Sequence, residues 1–405
     1  MKKVLVYCWD SVCEPMTIRA MKESGYQVLI LNEKMHDYHA DAGFAQKFIT
    51  FLHAEKPDVV FSYDYFPLIS MICQMNAVPY AAWIYDCPQY TLLSKTITNE
   101  CNHIFCFDED YTVRLQQLGA KNVCHFPLAA DMELYGNAMH QMESKKPLGR
   151  GNVSETGMNG TGKYASDISF VGSLYNDEKN RLLSADLSEH TAGYVEGLIR
   201  AQQKIYGYNL IKESFADEIV NEIVGKCRLT LGDAYVTDPV QMASDAINME
   251  VTSRDRQDVL AVLALYFDVD LYTNSKLPEA LAGMSKLRIK GTVDYQTQMP
   301  LVFYNSKINL NITSRTIETG VPQRVFDILA CGGFCLTNYQ KEISDLFEDG
   351  KELVMYTGLE DLVQKVEYYL KHEEERDAIA KAGYEKVKEY FNIDKRIQEL
   401  LNRIE

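Results

Sequence analysis

The stretch Gly320-Val-Pro-Gln-Arg-Val-Phe-Asp-Ile-Leu-Ala-Cys-Gly-Gly-Phe-Cys-Leu-Thr337 reads as a glycine turn, a short helix and a buried strand in immediate succession. Pro322 suits the first helical turn, where its missing N–H is no loss, and Gly332 or Gly333 suits the left-handed position that ends the helix about three turns on. The first amides of such a helix are free and its dipole is positive there, which favours a phosphate beyond Gly320. Arg324 adds a forked cationic donor at the same end. An alternating strand, Lys307–Ile312, lies upstream and Phe334–Thr337 reads as another downstream. Strand, turn, helix, strand implies a parallel sheet with ligands at the carboxyl ends of its strands. An ordinary βαβ unit whose glycines only cap a helix has the same spacing, and both readings stand at this point.

The same alternation runs through the chain. Lys3–Tyr7, Gln27–Leu31, Val59–Ser62, Tyr80–Ile84 and His103–Phe107 read as strands, with a helix near Pro15–Ser24. A second series opens at Ile168 and resumes at Val269–Thr273, Leu287–Ile289, Ile308–Ile312 and Phe334–Thr337. Strands alternating with helices predict an α/β protein with two doubly wound, Rossmann-like units. A chain of 405 residues is too long for one core, which agrees with two. Residues 181–255 show helical spacing and few strand signals, so the second unit is expected to carry a helical insertion. Met142–Gly162 is glycine-rich, polar and poor in large apolar residues. The expected division is therefore 1–140 for the first unit, 141–165 for a linker and 166–383 for the second unit, with an amphipathic segment 384–405 at the end.

Four segments carry a family resemblance: Trp83-Ile-Tyr-Asp-Cys-Pro88, Ile168-Ser-Phe-Val-Gly-Ser173, Pro322–Gly333, and Tyr368-Tyr-Leu370 followed by Gly383. In this order they resemble the nucleotide-sugar glycosyltransferases of the two-domain GT-B fold, and within them the group named after the spore maturation protein CgeB. The resemblance implies two domains facing a cleft, the first for a hydroxylated acceptor and the second for a nucleoside diphosphate sugar, expected to be UDP-linked. It also implies that segment 384–405 packs back on the first domain, and that no cofactor or metal is needed.

The resemblance further suggests roles for single residues. Asp327 resembles a ribose-binding carboxylate, although a carboxylate early in a helix is also favoured by the dipole alone. The glutamate that usually precedes it by eight positions would fall on Thr319; Glu318, one residue out of step, is the catalytic candidate beside it. Gly172 and Ser173 resemble the loop that lets donor phosphates approach, or form a plain βα turn. Tyr295 packs against the base or is an ordinary core or surface tyrosine. Gly320 and Arg324 would meet the diphosphate, Arg324 stabilising its departure. Asp86, at a strand end, would take the acceptor's proton, unless Pro88 simply sets a turn there. A non-catalytic sugar-nucleotide or glycan-binding protein and a sugar-nucleotide epimerase are the alternatives on the same fold.

Charge and cysteine usage narrow the classes. A net charge of −16, with 41 basic and 57 acidic side chains, provides no basic stripe for nucleic acid. Ten cysteines without paired Cys-x-x-Cys elements read as reduced thiols. The first apolar run stops at Trp9-Asp10, too short for a signal sequence or a membrane span, so a cytoplasmic protein is expected. Two Asp-x-Asp runs invite a divalent metal. Asp108-Glu-Asp110 reads instead as a helix cap and Asp268-Val-Asp270 as a polar edge face. No Gly-x-Gly-x-x-Gly follows the first strand, where Tyr7–Cys13 stands, which argues against a nicotinamide enzyme.

Overall fold

The computed structural model describes residues 1–136, 164–229 and 231–404, so the glycine-rich stretch and nearly all of the expected linker lie outside the described residues. The first unit is a six-stranded sheet of β1 (Lys3–Tyr7), β2 (Gln27–Leu31), β3 (Val59–Tyr63), β4 (Tyr80–Trp83), β5 (Asn102–Cys106) and β6 (Val123–His125). Its order is β2-β1-β3-β4-β5-β6 and every pair is parallel. The second unit repeats this plan with β7 (Ser166–Val171), β8 (Val269–Tyr272), β9 (Leu287–Gly291), β10 (Ser306–Asn311), β11 (Cys335–Asn338) and β12 (Val354–Tyr356). Its order is β12-β11-β10-β7-β8-β9, again all parallel.

Helices cover both faces of a parallel sheet, so its inner strands are apolar almost throughout. Every residue of β3 and β4 is buried. In each sheet the chain winds outward one way and then returns past its first strand, between β1 and β3 in one unit and between β7 and β10 in the other. Loops leaving two such strands diverge and open a crevice at their carboxyl ends. The functional residues collect at these two crevices.

Three helices of the insertion, Glu189–Gln202, Asp217–Lys226 and Pro239–Tyr266, share a core of their own that includes Val195, Ile199, Ile223 and Ile247. The last of them runs past the expected limit at 255 and delivers the chain to β8. The insertion also touches the first unit, through a bridge between Tyr235 and Ser94 and an ion pair of Arg114 with Asp238 at 3.1 Å.

The terminal segment begins later than expected, since position 384 lies inside the helix Glu373–Tyr390. The crossing itself is at Phe391 and Asn392. Ala130 donates its amide to the Phe391 carbonyl and accepts from the amide of Ile393, at 2.9 and 3.0 Å. The helix Ile393–Asn402 then lies on the helix Glu14–Glu23 of the first unit. Ile393, Ile397, Leu400 and Leu401 are buried there, each contributing about 1.5–3 kcal/mol. Among the described residues no helix is long and apolar enough to cross a membrane.

Asp270 corrects one expectation. It lies on β8, which is flanked by β7 and β9 and so is not an edge, and its buried carboxylate pairs with Arg288 and Lys290 of β9.

Candidate active site

In the second unit's crevice the helix Gln323–Ala330 is eight residues long, shorter than expected, because Pro322 is extended and forms its cap instead of its first turn. Gly332, at φ 65°, takes the left-handed position beyond it. Asp327 is fully enclosed. Its Oδ1 accepts from the hydroxyls of Tyr135 and Tyr295 at 2.7 and 2.9 Å and from Gln323 Nε2 at 2.9 Å, while Arg324 Nη1 lies 3.3 Å from Oδ2. Burial raises this carboxyl above its ordinary value, against the opposing pull of Arg324 and the three hydrogen bonds. Tyr295 therefore spends its hydroxyl on Asp327. Arg324 is half-buried, held by Asp327 and the Met299 sulfur over the ring of Phe303.

Gly172 and Ser173 close the crevice from the β7 side. The Ser173 carbonyl accepts from Arg256 Nη1 at 2.6 Å, and the Ser173 hydroxyl lies 3.3 Å from that of Ser275. A Cβ on Gly172 would stand 3.1 Å from the Phe170 ring.

The corner before the helix does bind an anion, but that anion belongs to the protein. Asp108 Oδ2 accepts from the amides of Glu318, Thr319 and Gly320 at 2.8, 3.0 and 3.2 Å. Its Oδ1 accepts from the amide of Tyr111, capping the helix Glu109–Gln117 as expected, and from the Thr319 hydroxyl. Gly320 is needed for this approach: a Cβ there would lie 2.9 Å from the Phe107 carbonyl oxygen. The loop before the helix is thus clasped by a carboxylate from the first unit, and Gly320 is a contact between units.

Glu342 extends the clasp, accepting from the Thr319 hydroxyl and the Glu109 amide and lying 2.7 Å from His125 Nε2. Glu318 pairs its carboxylate with Lys212 of the insertion and faces Gln241. The buried Asp245 beyond it is pushed up to about 7, chiefly by burial.

In the first unit's crevice a cavity of about 640 Å³ opens beyond β1, β3 and β4. Trp9, Tyr38, Phe66, Tyr90 and Tyr235 line it together with Asp64 and Asp86. Asp64 follows β3 with φ 58°, an uncommon conformation for a non-glycine residue. Its Oδ1 accepts from the amides of Tyr85 and Asp86 at 3.0 and 3.1 Å, and its Oδ2 has no donor among the described residues. Burial and then the charge of Asp86 push the Asp64 carboxyl up to about 7. Asp86 is exposed along the cavity wall, yet the protein behind it still raises its carboxyl, with Lys179 opposing in part.

Solved structures with this architecture span the whole chain. A glycosyltransferase from Rickettsia africae ESF-5 is 10% identical, with 100% of this chain and 97% of that one covered and a TM-score of 0.53. Anabaena Alr3699/HepE, in complex with UDP and glucose, is 9% identical, with 99% of each chain covered and a TM-score of 0.56. Sucrose-phosphate synthase from Thermosynechococcus elongatus is 8% identical, with 99% of this chain and 98% of that one covered and a TM-score of 0.55. At such identities the likeness concerns the fold. The chain has the GT-B fold.

Residues 257–402, within the second GT-B unit, also match the model of a family described as glycosyl transferase-like. That match takes in Tyr295, Glu318, Gly320, Arg324 and Asp327 and leaves out Gly172, Ser173 and Asp86. No curated protein matches the chain in sequence.

Four residues at the GT-B cleft escape a reading of the sequence as motifs. Asp64 looks like the polar end of an apolar strand, although its position beside the point where the strand order reverses is a usable signal. Tyr135 and the clasping role of Asp108 depend on partners 192 and about 210 positions away. Lys179 is exposed across the cleft from Asp86 and makes no ion pair among the described residues.

Proposed function

We propose that this chain transfers a hexose from a nucleoside diphosphate sugar to a hydroxylated acceptor, as a member of the CgeB-like group. The observation that carries this reading is the pairing of two crevices in one GT-B cleft, one inside a glycosyl transferase-like domain and rich in polar groups, the other an aromatic cavity with two carboxylates. The donor belongs in the second unit, where Asp327 would exchange its tyrosine hydroxyls for those of a ribose. A UDP-linked donor is favoured by the UDP held in the Anabaena protein of the same fold. Arg324 and Lys179 would meet the diphosphate charge as it develops. No divalent ion is assigned to this reading, because the carboxylates of both Asp-x-Asp runs are engaged, Asp108 by amides and Asp270 by Arg288.

Incubation with a panel of nucleotide sugars and simple glycosides, followed by assay for released nucleoside diphosphate, tests the reading. Mass spectrometry of the sugar separates transfer from epimerisation. Activity should persist in excess chelator and fall in Arg324→Ala, whose lost charged hydrogen bond should weaken nucleotide binding by about 1.5–3 kcal/mol. Loss of activity in chelator, restored by manganese, would overturn the metal-free form of the proposal.

A further inference from the structure

Resting on that reading, we infer that Asp64 is the base that deprotonates the acceptor and that the acceptor is an uncharged sugar or glycoside. The cavity of about 640 Å³ has the size of a small-molecule site. Half-buried Trp9 and exposed Tyr38 offer ring faces on which a sugar's apolar side stacks, and Tyr90 and Tyr235 also line the cavity. Carboxylates dominate its polar lining. Asp10, Glu33, Asp64 and Asp86 stand against the single cation Lys34, and Glu33 is already paired with Lys47. A phosphorylated or carboxylated acceptor would meet like charge there.

Asp64 is built for the task by its backbone surroundings. Two amides fix one oxygen and leave Oδ2 with no donor among the described residues, at the reversal point of the sheet. The turn that supplies those amides joins the two crevices. Tyr85 lies within electrostatic reach of Asp327 and Arg324, and the next residue, Asp86, is on the cavity wall.

Asp64 Oδ2 takes the proton of the acceptor hydroxyl while that oxygen's electron pair forms the new bond to the anomeric carbon. The bond from that carbon to the diphosphate oxygen breaks, and its pair leaves with the nucleoside diphosphate. The proton on Asp64 is then released to solvent.

Asp86 acts as a positioning residue, through its charge. The other ionisable groups about Asp64 are Tyr85 from the end of β4, Cys13 and Glu14 from the start of the helix Glu14–Glu23, and Tyr65 beside it. Cys8 and Asp10 beyond β1, Glu33 and Lys34 beyond β2, and Lys179 across the cleft complete the set. Because the base must be ionised, transfer rises with pH through the Asp64 titration. Removing the Asp86 charge takes away a repulsion and moves that limb to lower pH.

The test has a binding arm and a transfer arm. The chain has two tryptophans, Trp9 at the cavity and the buried Trp83, so fluorescence titration of the wild type against Trp9→Phe reads occupancy without a donor. Methyl and p-nitrophenyl glucosides should change the Trp9 signal, and their 6-phosphates should bind about tenfold or more weakly. Phosphates that bind as well, or neutral glycosides that leave Trp9 unchanged, overturn the acceptor class.

In the transfer arm, Asp64→Asn should lower the rate about 100-fold or more while calorimetry shows unchanged UDP binding. Asp86→Asn should shift the acid limb downward. An active Asp64→Asn or an unmoved limb in Asp86→Asn overturns the base. Absence of UDP binding by the wild type would instead remove the transferase reading on which the inference rests.

Discussion

The two crevices are built on the same sheet plan, yet they treat their carboxylates in opposite ways. In the second unit, Asp327 and the neighbouring loop are saturated: the carboxylate has four donors, and the loop amides go to Asp108 of the first unit. In the first unit, Asp64 keeps one oxygen without a donor among the described residues and Asp86 faces the cavity. A saturated polar site binds by exchange, so its measured affinity is the difference between the ligand's hydrogen bonds and those the protein gives up. A site with an uncommitted oxygen binds and reacts directly. The donor crevice should therefore respond to substitution mainly in stability and nucleotide affinity, and the acceptor crevice in rate.

The largest effect should come from Asp108→Ala. It strands the amides of Glu318, Thr319 and Gly320 and uncaps that of Tyr111, and leaving a buried donor unpaired costs about 1–3 kcal/mol each, so urea unfolding should show a loss of about 3–5 kcal/mol. A loss below about 1 kcal/mol would mean that the clasp does not hold the two units together.

A smaller effect is expected at Asp327. Replacing it by alanine should weaken UDP binding by about 1.5–3 kcal/mol, and 2′-deoxy-UDP binding by less, because only the ribonucleotide offers both hydroxyls. Tyr135→Phe removes a competing donor and should leave UDP binding unchanged or tighter by about 1 kcal/mol. Equal losses for both nucleotides in Asp327→Ala would reduce that carboxylate to a structural anchor and erase the contrast between the crevices.

What the sequence disclosed follows the range of the interactions involved. Parallel strands buried on both faces, such as Val59–Tyr63 and Ile168–Val171, announce themselves as apolar runs, and the two-unit plan was legible from them. β6 and β12 were missed because three residues at the rim of a sheet carry no period. The turn, helix and strand of the Gly320–Thr337 corner were legible from local geometry. The carboxylate on the loop amides of Glu318, Thr319 and Gly320 was not, because Asp108 reaches them from another unit and its own neighbourhood looks like an ordinary helix cap. The partner of Glu318 was not legible for a related reason: adjacency to a motif position says nothing of the insertion's Lys212, which pairs with the carboxylate.

The smallest expected effect isolates the outer part of the clasp, where His125 of the first unit meets Glu342 of the second at 2.7 Å. Burial alone would lower the His125 pKa, but the hydrogen bond and charge of Glu342, with Glu109 beyond, outweigh it and raise the value above that of an ordinary histidine. A histidine bound more tightly to its proton in the folded state stabilises the fold fully below its unfolded pKa of about 6.5, and that contribution is lost as pH rises through the higher folded value. The pair is partly exposed, so it should contribute about 1 kcal/mol or less. Urea midpoints for the wild type and His125→Asn should therefore differ most near pH 5.5 and converge at about pH 8.5 and above. A difference that stays constant or grows with pH would show that His125 is held neutral, and that the second unit's carboxylates are satisfied by amides and hydroxyls without a charge from the first.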